Sequence, residues 1–255
     1  MTRLIWSRRQ MLLRSGTAFG GLLLGGCDRL SRSPTFEGIL ASADSLTYRV
    51  QRLLVGNALA REFTPAELSP VFRSNGTDDP DTDEYNALRE NGFVDWRLMI
   101  GGLVARPLAL SLAQLRALPQ RTQITRHDCV EGWSAIGKWS GVPLGTVLDL
   151  AQPSPAARFI VLYCADELEE GDGGYYESID LIDAYHPQTL LAYALNDKPL
   201  AVGNGAPLRL RVERQLGYKH AKYLMRVEAV ADLKVIGRGK GGYWEDRGYA
   251  WYAGI

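Results

Sequence analysis

From Asp95 onward the chain is built of short apolar runs, most of them alternating with polar residues and separated by glycine or proline. Alternation predicts strands over residues 120–125 and 175–181, and apolar strand-like runs predict others over 96–100, 158–163, 208–212 and 223–230. Gly101-Gly102 reads as a turn and residues 171–174 as an open loop. Three-to-four spacing predicts short helices over 111–118, 144–150 and 189–195; Ser111 caps the first and Pro119 ends it. A longer amphipathic pattern covers 39–54. Residues 70–91 read as loop, and their acidic run 78–84 lacks the fixed spacing of an EF-hand and reads as solvated. Strands outnumber helices, and neither a regular βαβ alternation nor an internal repeat is present. The pattern predicts a mixed, strand-rich α+β fold with short helices, as one domain over residues 38–255.

The N-terminus has a different character. Ser7-Arg8-Arg9-Gln10-Met11-Leu12-Leu13 is a twin-arginine pattern, followed over residues 16–26 by an apolar stretch too short to span a bilayer. It ends in Leu24-Gly25-Gly26-Cys27, which looks like a bacterial lipobox; a plain basic signal anchor is the alternative. Residues 1–27 are therefore expected to be a lipoprotein export signal and 28–37 a tether. Asp28 resembles an inner-membrane retention signal. The expectation is a protein on the periplasmic side of the inner membrane, anchored by lipid on Cys27. Twin-arginine export carries folded proteins, commonly with a cofactor already inserted.

The whole chain balances 29 basic against 29 acidic residues. Residues 1–32 hold six arginines and one aspartate, which leaves the body with 23 basic and 28 acidic residues, a net of −5. A mildly acidic body argues against nucleic acid as a partner. Three cysteines are too few for a disulfide scaffold, and the core is large enough without one.

Cys129 carries the most chemical information. It follows a predicted strand, in the run Thr125-Arg126-His127-Asp128-Cys129-Val130-Glu131-Gly132-Trp133-Ser134, where polar, charged and aromatic residues crowd together. A thiolate there suits a soft metal or nucleophilic chemistry, and a buried structural cysteine is the bland alternative. Cys164 ends another predicted strand, and a bridge between it and Cys129 stays open. Three further segments are dense in polar groups: Phe72-Arg73-Ser74-Asn75-Gly76, Gly203-Asn204-Gly205-Ala206-Pro207-Leu208-Arg209-Leu210, and Gly217-Tyr218-Lys219-His220-Ala221-Lys222. Arginine, lysine, histidine and turn amides are the groups that grip phosphate.

Taken in order with Trp139-Ser140-Gly141-Val142-Pro143-Leu144 and His186-Pro187-Gln188-Thr189-Leu190, these segments resemble the sulfite oxidase superfamily of molybdopterin enzymes. The likeness covers residues 70–255 and is nearest to the bacterial, exported branch that includes periplasmic methionine-sulfoxide reductases. It implies a sulfite-oxidase-type fold and a molybdenum–molybdopterin cofactor, with Cys129 as the protein thiolate on the metal. Asn75 matches a cofactor contact. Asn204, Arg209, Lys219, His220, Ala221 and Lys222 match the cradle for the pterin phosphate, Arg209 foremost because its fork donates two parallel hydrogen bonds. His127 is placed to face the cofactor. The implied activity is two-electron oxygen-atom transfer on a small-molecule substrate, with S-oxide or N-oxide reduction as the leading direction.

Departures from the family pattern narrow this. Cys164 stands where the reductase branch has a threonine on the cofactor. Val130-Glu131-Gly132-Trp133 replaces the Ala-Gly-Asn-Arg-type run with which sulfite oxidases recruit an anion, and residues 166–172 are acidic, so sulfite is disfavoured. Cys164 is expected as a free thiol at the rim of the site. Asp166, Glu167, Glu169, Glu170 and Asp172 are expected to border the mouth, unless they form a solvated loop. With Ile255 as the last residue given, no haem domain or dimerisation domain is expected; electrons are assigned to a separate protein, a membrane haem subunit or small cytochrome, and the enzyme to a monomer. Two rivals are a cysteine hydrolase or transpeptidase, with Cys129 as nucleophile and His220 as base, and a binding lipoprotein without catalysis.

Overall fold

The structure, a computed structural model, describes residues 34–168 and 173–255, with side chains from Ser42 onward. The twin-arginine run, the lipobox with Cys27, and the acidic residues Glu169, Glu170 and Asp172 lie outside the described residues. Two compact units result, one reaching Gly56 and the other spanning Asn57–Ile255.

In the first unit a single helix, α1 (Pro34–Val55), replaces the shorter 39–54 span. Proline is favoured in a first turn because its missing N–H has no partner there. Gly56 follows with φ +53, the left-handed conformation that ends helices at low steric cost. Leu46, Val50, Leu53 and Leu54 share one exposed side of α1. Among the described residues no helix is long and apolar enough to cross a membrane.

The second unit holds α2 (Asp83–Glu90), β1 (Arg97–Gly102), β2 (Leu108–Ser111), α3 (Leu112–Arg116), β3 (Arg121–Asp128), β4 (Ser134–Pro143) and α4 (Leu144–Ala151). These are followed by β5 (Phe159–Cys164), β6 (Tyr176–Asp180), α5 (Leu181–Ala184), β7 (Leu190–Leu195), β8 (Lys198–Pro199), β9 (Arg209–Arg211) and β10 (Leu224–Val230). They form two five-stranded sheets, one ordered β2-β1-β10-β5-β6, the other β3-β4-β7-β8 with β9 also on β7. Among the described residues only β1 and β10 pair in parallel. The main core is apolar and draws on both sheets: Leu98, Ile160, Leu162 and Val227 from the first, Val142, Leu191 and Leu210 from the second. Each such side chain contributes about 1.5–3 kcal/mol by leaving water.

Residues 189–195 are not a helix but the strand β7, which pairs with β4, β8 and β9. Five of its six residues are buried, so the run is apolar on both faces and lacks the alternation that marks a half-exposed strand. Within the span read as loop, α2 forms because Thr82 caps it by accepting from the Tyr85 amide, and Asp83 and Glu84 favour the positive end of the dipole. The strands β2 and β4 are additions. In β4 the glycines break the pattern for a packing reason: a Cβ on Gly141 would lie 2.3 Å from the Leu191 carbonyl oxygen. β3 runs on to Asp128, which puts His127 within the strand and Cys129 just after it.

Candidate active site

The inner face of β3 is polar. Gln123, Thr125 and His127 are buried at alternate positions where a core strand would carry valine or leucine. β9 supplies the counterpart. Leu210 enters the apolar core, so Arg209 and Arg211 fall on the opposite face, both fully buried. Their guanidinium groups lie over Trp139 of β4, 5.1 and 4.4 Å from the ring centre. Arg211 pairs with Glu213 at 2.5 Å and also contacts His127 Nδ1 at 2.9 Å. A guanidinium only donates, so Nδ1 accepts and the neutral ring carries its proton on Nε2. Burial first, then the charges of Arg211, Arg209 and Lys222, hold His127 well below the usual histidine range. Its Nε2 is buried without a partner, against Gly217, where a Cβ would come within 2.6 Å of it.

Arg209 and Lys222 make the second feature. The Leu210 amide donates to the Ala221 carbonyl and the Leu224 amide to Leu208, which lays residues 221–224 beside β9 and sets Lys222 near Arg209. Arg209 donates to the main-chain oxygens of Asn204 (3.0 Å) and His220 (3.2 Å), and its Nε has no partner. Lys222 donates to Ser74 Oγ (3.3 Å), Gly203 O (3.0 Å) and Thr77 O. Neither cation is hydrogen-bonded to a carboxylate. Burial first lowers each, reinforced by Arg211 for Arg209 and by Arg209 for Lys222: Arg209 to about 9, Lys222 to about 7. Two buried positive charges facing neutral oxygens form a cradle that an anion would complete. The same contacts fix the 72–77 loop: Ser74 donates to Gly203 O at 2.5 Å, Tyr223 donates to Thr77 O at 2.8 Å, and Phe72 packs edge-on against Trp139. Asn75 lines the cavity described below, with its Oδ1 buried and unpartnered.

Lys219 does not join that cradle. It sits in a 3-10 turn and turns its ammonium between Glu177 and Glu245, 2.5 Å from each, with all three side chains buried. The expected convergence of Arg209, Lys219 and Lys222 is thus corrected to Arg209 and Lys222. His220 donates from Nε2 to Gln215 O at 3.0 Å and packs edge-on against His127, which leaves its buried Nδ1 as an open acceptor.

Cys129 closes a tight turn in which its amide donates to Trp133 O and its carbonyl accepts from Gly132. It opens on a cavity of about 200 Å³. Polar groups of Asn75, Thr77, Asp166, His220 and Lys222 line one part, while Val130, Leu168, Tyr175, Tyr218, Trp244 and Tyr249 form an apolar, aromatic part. Glu131 also lines it. Burial raises the Cys129 thiol, opposed by the main-chain amides of Glu131 and Val130. Nothing hydrogen-bonds it to His220, whose Nε2 is committed to Gln215, so the nucleophile–base rival lacks both its contact and its lowered thiol. Cys164 ends β5 as a free thiol, like Cys129. Burial first, then Asp166 and Glu177, push it well up, while Arg209 and Lys222 pull against them. Of the acidic residues after it, Asp166 lines the cavity and Glu167 is exposed.

Sequence patterns carried some of this and missed the rest. The alternation Arg209-Leu210-Arg211 among apolar residues was a legible sign of two charges on one face of a buried strand. Asp166, Tyr175, Tyr218, Trp244 and Tyr249 come together from distant segments and share no local pattern.

Among the described residues no group of three or more His, Cys, Asp or Glu could chelate a metal ion. A metal at Cys129 would therefore bring most of its own ligands, as a cofactor-borne metal does. The site thus presents a soft ligand, Cys129, in the same cavity as Lys222 of the anion cradle. Comparison with known proteins gives the family. The profile described as "Oxidoreductase molybdopterin binding domain" matches residues 86–234. The chain is 38% identical over 254 residues to a protein named for a protein-methionine-sulfoxide reductase subunit, YedZ1, of Azospira oryzae, covering 97% of this chain and 88% of that one. It is 36% identical over 241 residues to the protein-methionine-sulfoxide reductase catalytic subunit MsrP of Xanthomonas axonopodis, covering 90% and 72% respectively. The sulfane dehydrogenase SoxCD of Paracoccus pantotrophus shares the fold, with a TM-score of 0.51 at 22% identity over 69% of this chain and 46% of that one. The chain belongs to the oxidoreductase molybdopterin-binding family, of sulfite-oxidase type, and is a molybdopterin-dependent oxidoreductase. The enzymatic family sets aside the reading as a binding lipoprotein.

The residues present fit that cofactor. The uncompensated pair Arg209 and Lys222 suits a phosphate, and Asn75 Oδ1, His127 Nε2 and His220 Nδ1 are buried polar atoms with no protein partner. Of the two free thiols, Cys129 lines the cavity and suits the metal.

Proposed function

We propose that this chain reduces S-oxides in the cell envelope, taking electrons from a separate protein. When bound, the molybdenum–molybdopterin group supplies the two-electron exchange coupled to oxygen-atom transfer. Cys129 holds its metal, Arg209 and Lys222 hold its phosphate, and Asn75, His127 and His220 orient the pterin, with carbonyls of Asn204 and His220 fixing Arg209. Reduction of S-oxides is supported first by the composition of the cavity. Tyr175, Tyr218, Trp244 and Tyr249 offer an aromatic wall suited to a neutral thioether-like body, and Asp166 and Glu131 disfavour an anion such as sulfite. The names of the Azospira and Xanthomonas relatives support the same direction. The N-terminal motifs support twin-arginine export and a lipid anchor on Cys27, which would hold the enzyme near a membrane-borne or small haem electron donor.

The test uses protein purified after native export, with reduced viologen as donor. Methionine sulfoxide, free and within a peptide, should be reduced, and sulfite should not be oxidised. Sulfite oxidation without S-oxide reduction would reverse the proposal.

A further inference from the structure

We propose that Asp166 is the catalytic acid of this site, delivering a proton to the oxygen that an S-oxide loses. This rests on the reductase function proposed above and adds to it the source of the proton. The reaction consumes protons as well as electrons: one S-oxide, two electrons and two protons give one thioether and one water. The S–O bond breaks, sulfur is reduced, two O–H bonds form, and the electrons come from an external one-electron donor such as a reduced viologen or a haem protein. A carboxyl group that lines the cavity can supply protons to the departing oxygen.

Asp166 occupies that position. It lines the same cavity as Cys129, it is 4% exposed, and its Oδ1 is buried with no hydrogen-bond partner. Its main chain is fixed, since its carbonyl accepts from the Tyr175 amide at 2.7 Å, so the carboxyl is held beside the aromatic wall. Charged and titratable neighbours act from every side. Lys222, with Tyr223, comes from the segment before β10, Cys164 from β5, Tyr175 from the approach to β6 and Tyr85 from α2; the Thr77 hydroxyl comes from the 72–77 loop. Burial dominates and raises the carboxyl to about 6, opposed by Thr77 and Lys222. An acid of that strength is partly protonated near neutrality and readily reloads from solvent. Other carboxylates fill this role less well. Glu131 is exposed, and Glu177 and Glu245 are tied to Lys219.

Asp166→Asn and Asp166→Glu decide the matter, with molybdenum and pterin content measured in each. With methionine sulfoxide and reduced viologen, wild-type kcat should fall as pH rises through about 6. The asparagine variant should keep its cofactor, lose roughly 10²-fold in kcat and show no such limb, while glutamate restores part of both. An asparagine variant with wild-type rate and pH profile overturns the proposal. A second readout is independent of turnover. In infrared difference spectra of the cofactor-free protein, a protonated carboxyl band should titrate near pH 6 and vanish in the asparagine variant. If the wild type reduces no S-oxide, the reductase function fails. The infrared band then judges Asp166 alone, and its absence overturns the assignment of an acid here.

Discussion

Lys219 and Lys222 lie three positions apart, both in a block that matches the family pattern, and the fold treats them in opposite ways. Lys219 is sealed between Glu177 and Glu245, and these carboxylates raise it against the effect of burial. Lys222 faces main-chain and hydroxyl oxygens, and burial with Arg209 nearby brings it down to about 7. A buried charge with its partners in place is complete within the fold. A buried cation whose hydrogen bonds all go to neutral oxygens, with Asp166 and Asp78 acting on it only through their fields, is completed by an anion. The distinction separates architecture from site more sharply than residue type does, since Arg211, paired with Glu213, belongs with Lys219, while Arg209 belongs with Lys222.

The comparison can be pressed hardest where the cradle meets the metal. Cys129→Ser should abolish S-oxide reduction while the protein stays folded and retains pterin, because a hard hydroxyl cannot replace a soft thiolate and the phosphate is held elsewhere. Turnover with a dye donor, read beside pterin fluorescence after release, checks it. Preserved turnover would remove Cys129 from the metal.

Lys219→Met and Lys222→Met should then diverge. The first strands two buried carboxylates and should cost about 3–5 kcal/mol in chemical denaturation. The second removes an uncompensated charge and should show no comparable loss in the cofactor-free protein, while cofactor retention falls. Equal destabilisation by both would erase the contrast. Within the cradle, Arg209→Ala should weaken retention by roughly 10- to 100-fold, and by more than Lys222→Ala, since a planar fork is lost and not one point charge. Molybdenum content after dialysis measures it.

The smallest effect is a pH slope. Lys222 has a folded value of about 7 against an ordinary 10.5, so between these the unfolded chain holds more protons than the folded one. The stability of the cofactor-free protein should therefore rise as pH increases through that window. Lys222→Met should remove this contribution, and bound cofactor should suppress it by keeping the ammonium charged. Denaturation midpoints at several pH values, loaded and unloaded, would show it.

Sequence alone determined a good deal. Short apolar or alternating segments marked β1, β3, β5, β6, β9 and β10; in β1 and β3 the burial itself alternates, the local signature of a half-covered strand. Ordered polar blocks singled out Cys129, Asn75 and Lys222, which the fold brings to one cavity, and Arg209, which it sets near Lys222. The strand β7 escaped because both its faces are covered, which erases the alternation, and β4 because Gly141 answers to the backbone of β7 and Gly137 to the side chains of Leu195 and Phe72, not to β propensity. Tertiary structure alone decided which charges are satisfied. Glu177 and Glu245 reach Lys219 from 42 and 26 residues away, and nothing local marks them as its partners. The same holds for Asp166 and the aromatic wall of Tyr175, Tyr218, Trp244 and Tyr249. Hydrophobic periodicity is written residue by residue, whereas the compensation of a buried charge depends on which distant segments the folded chain brings within hydrogen-bond reach.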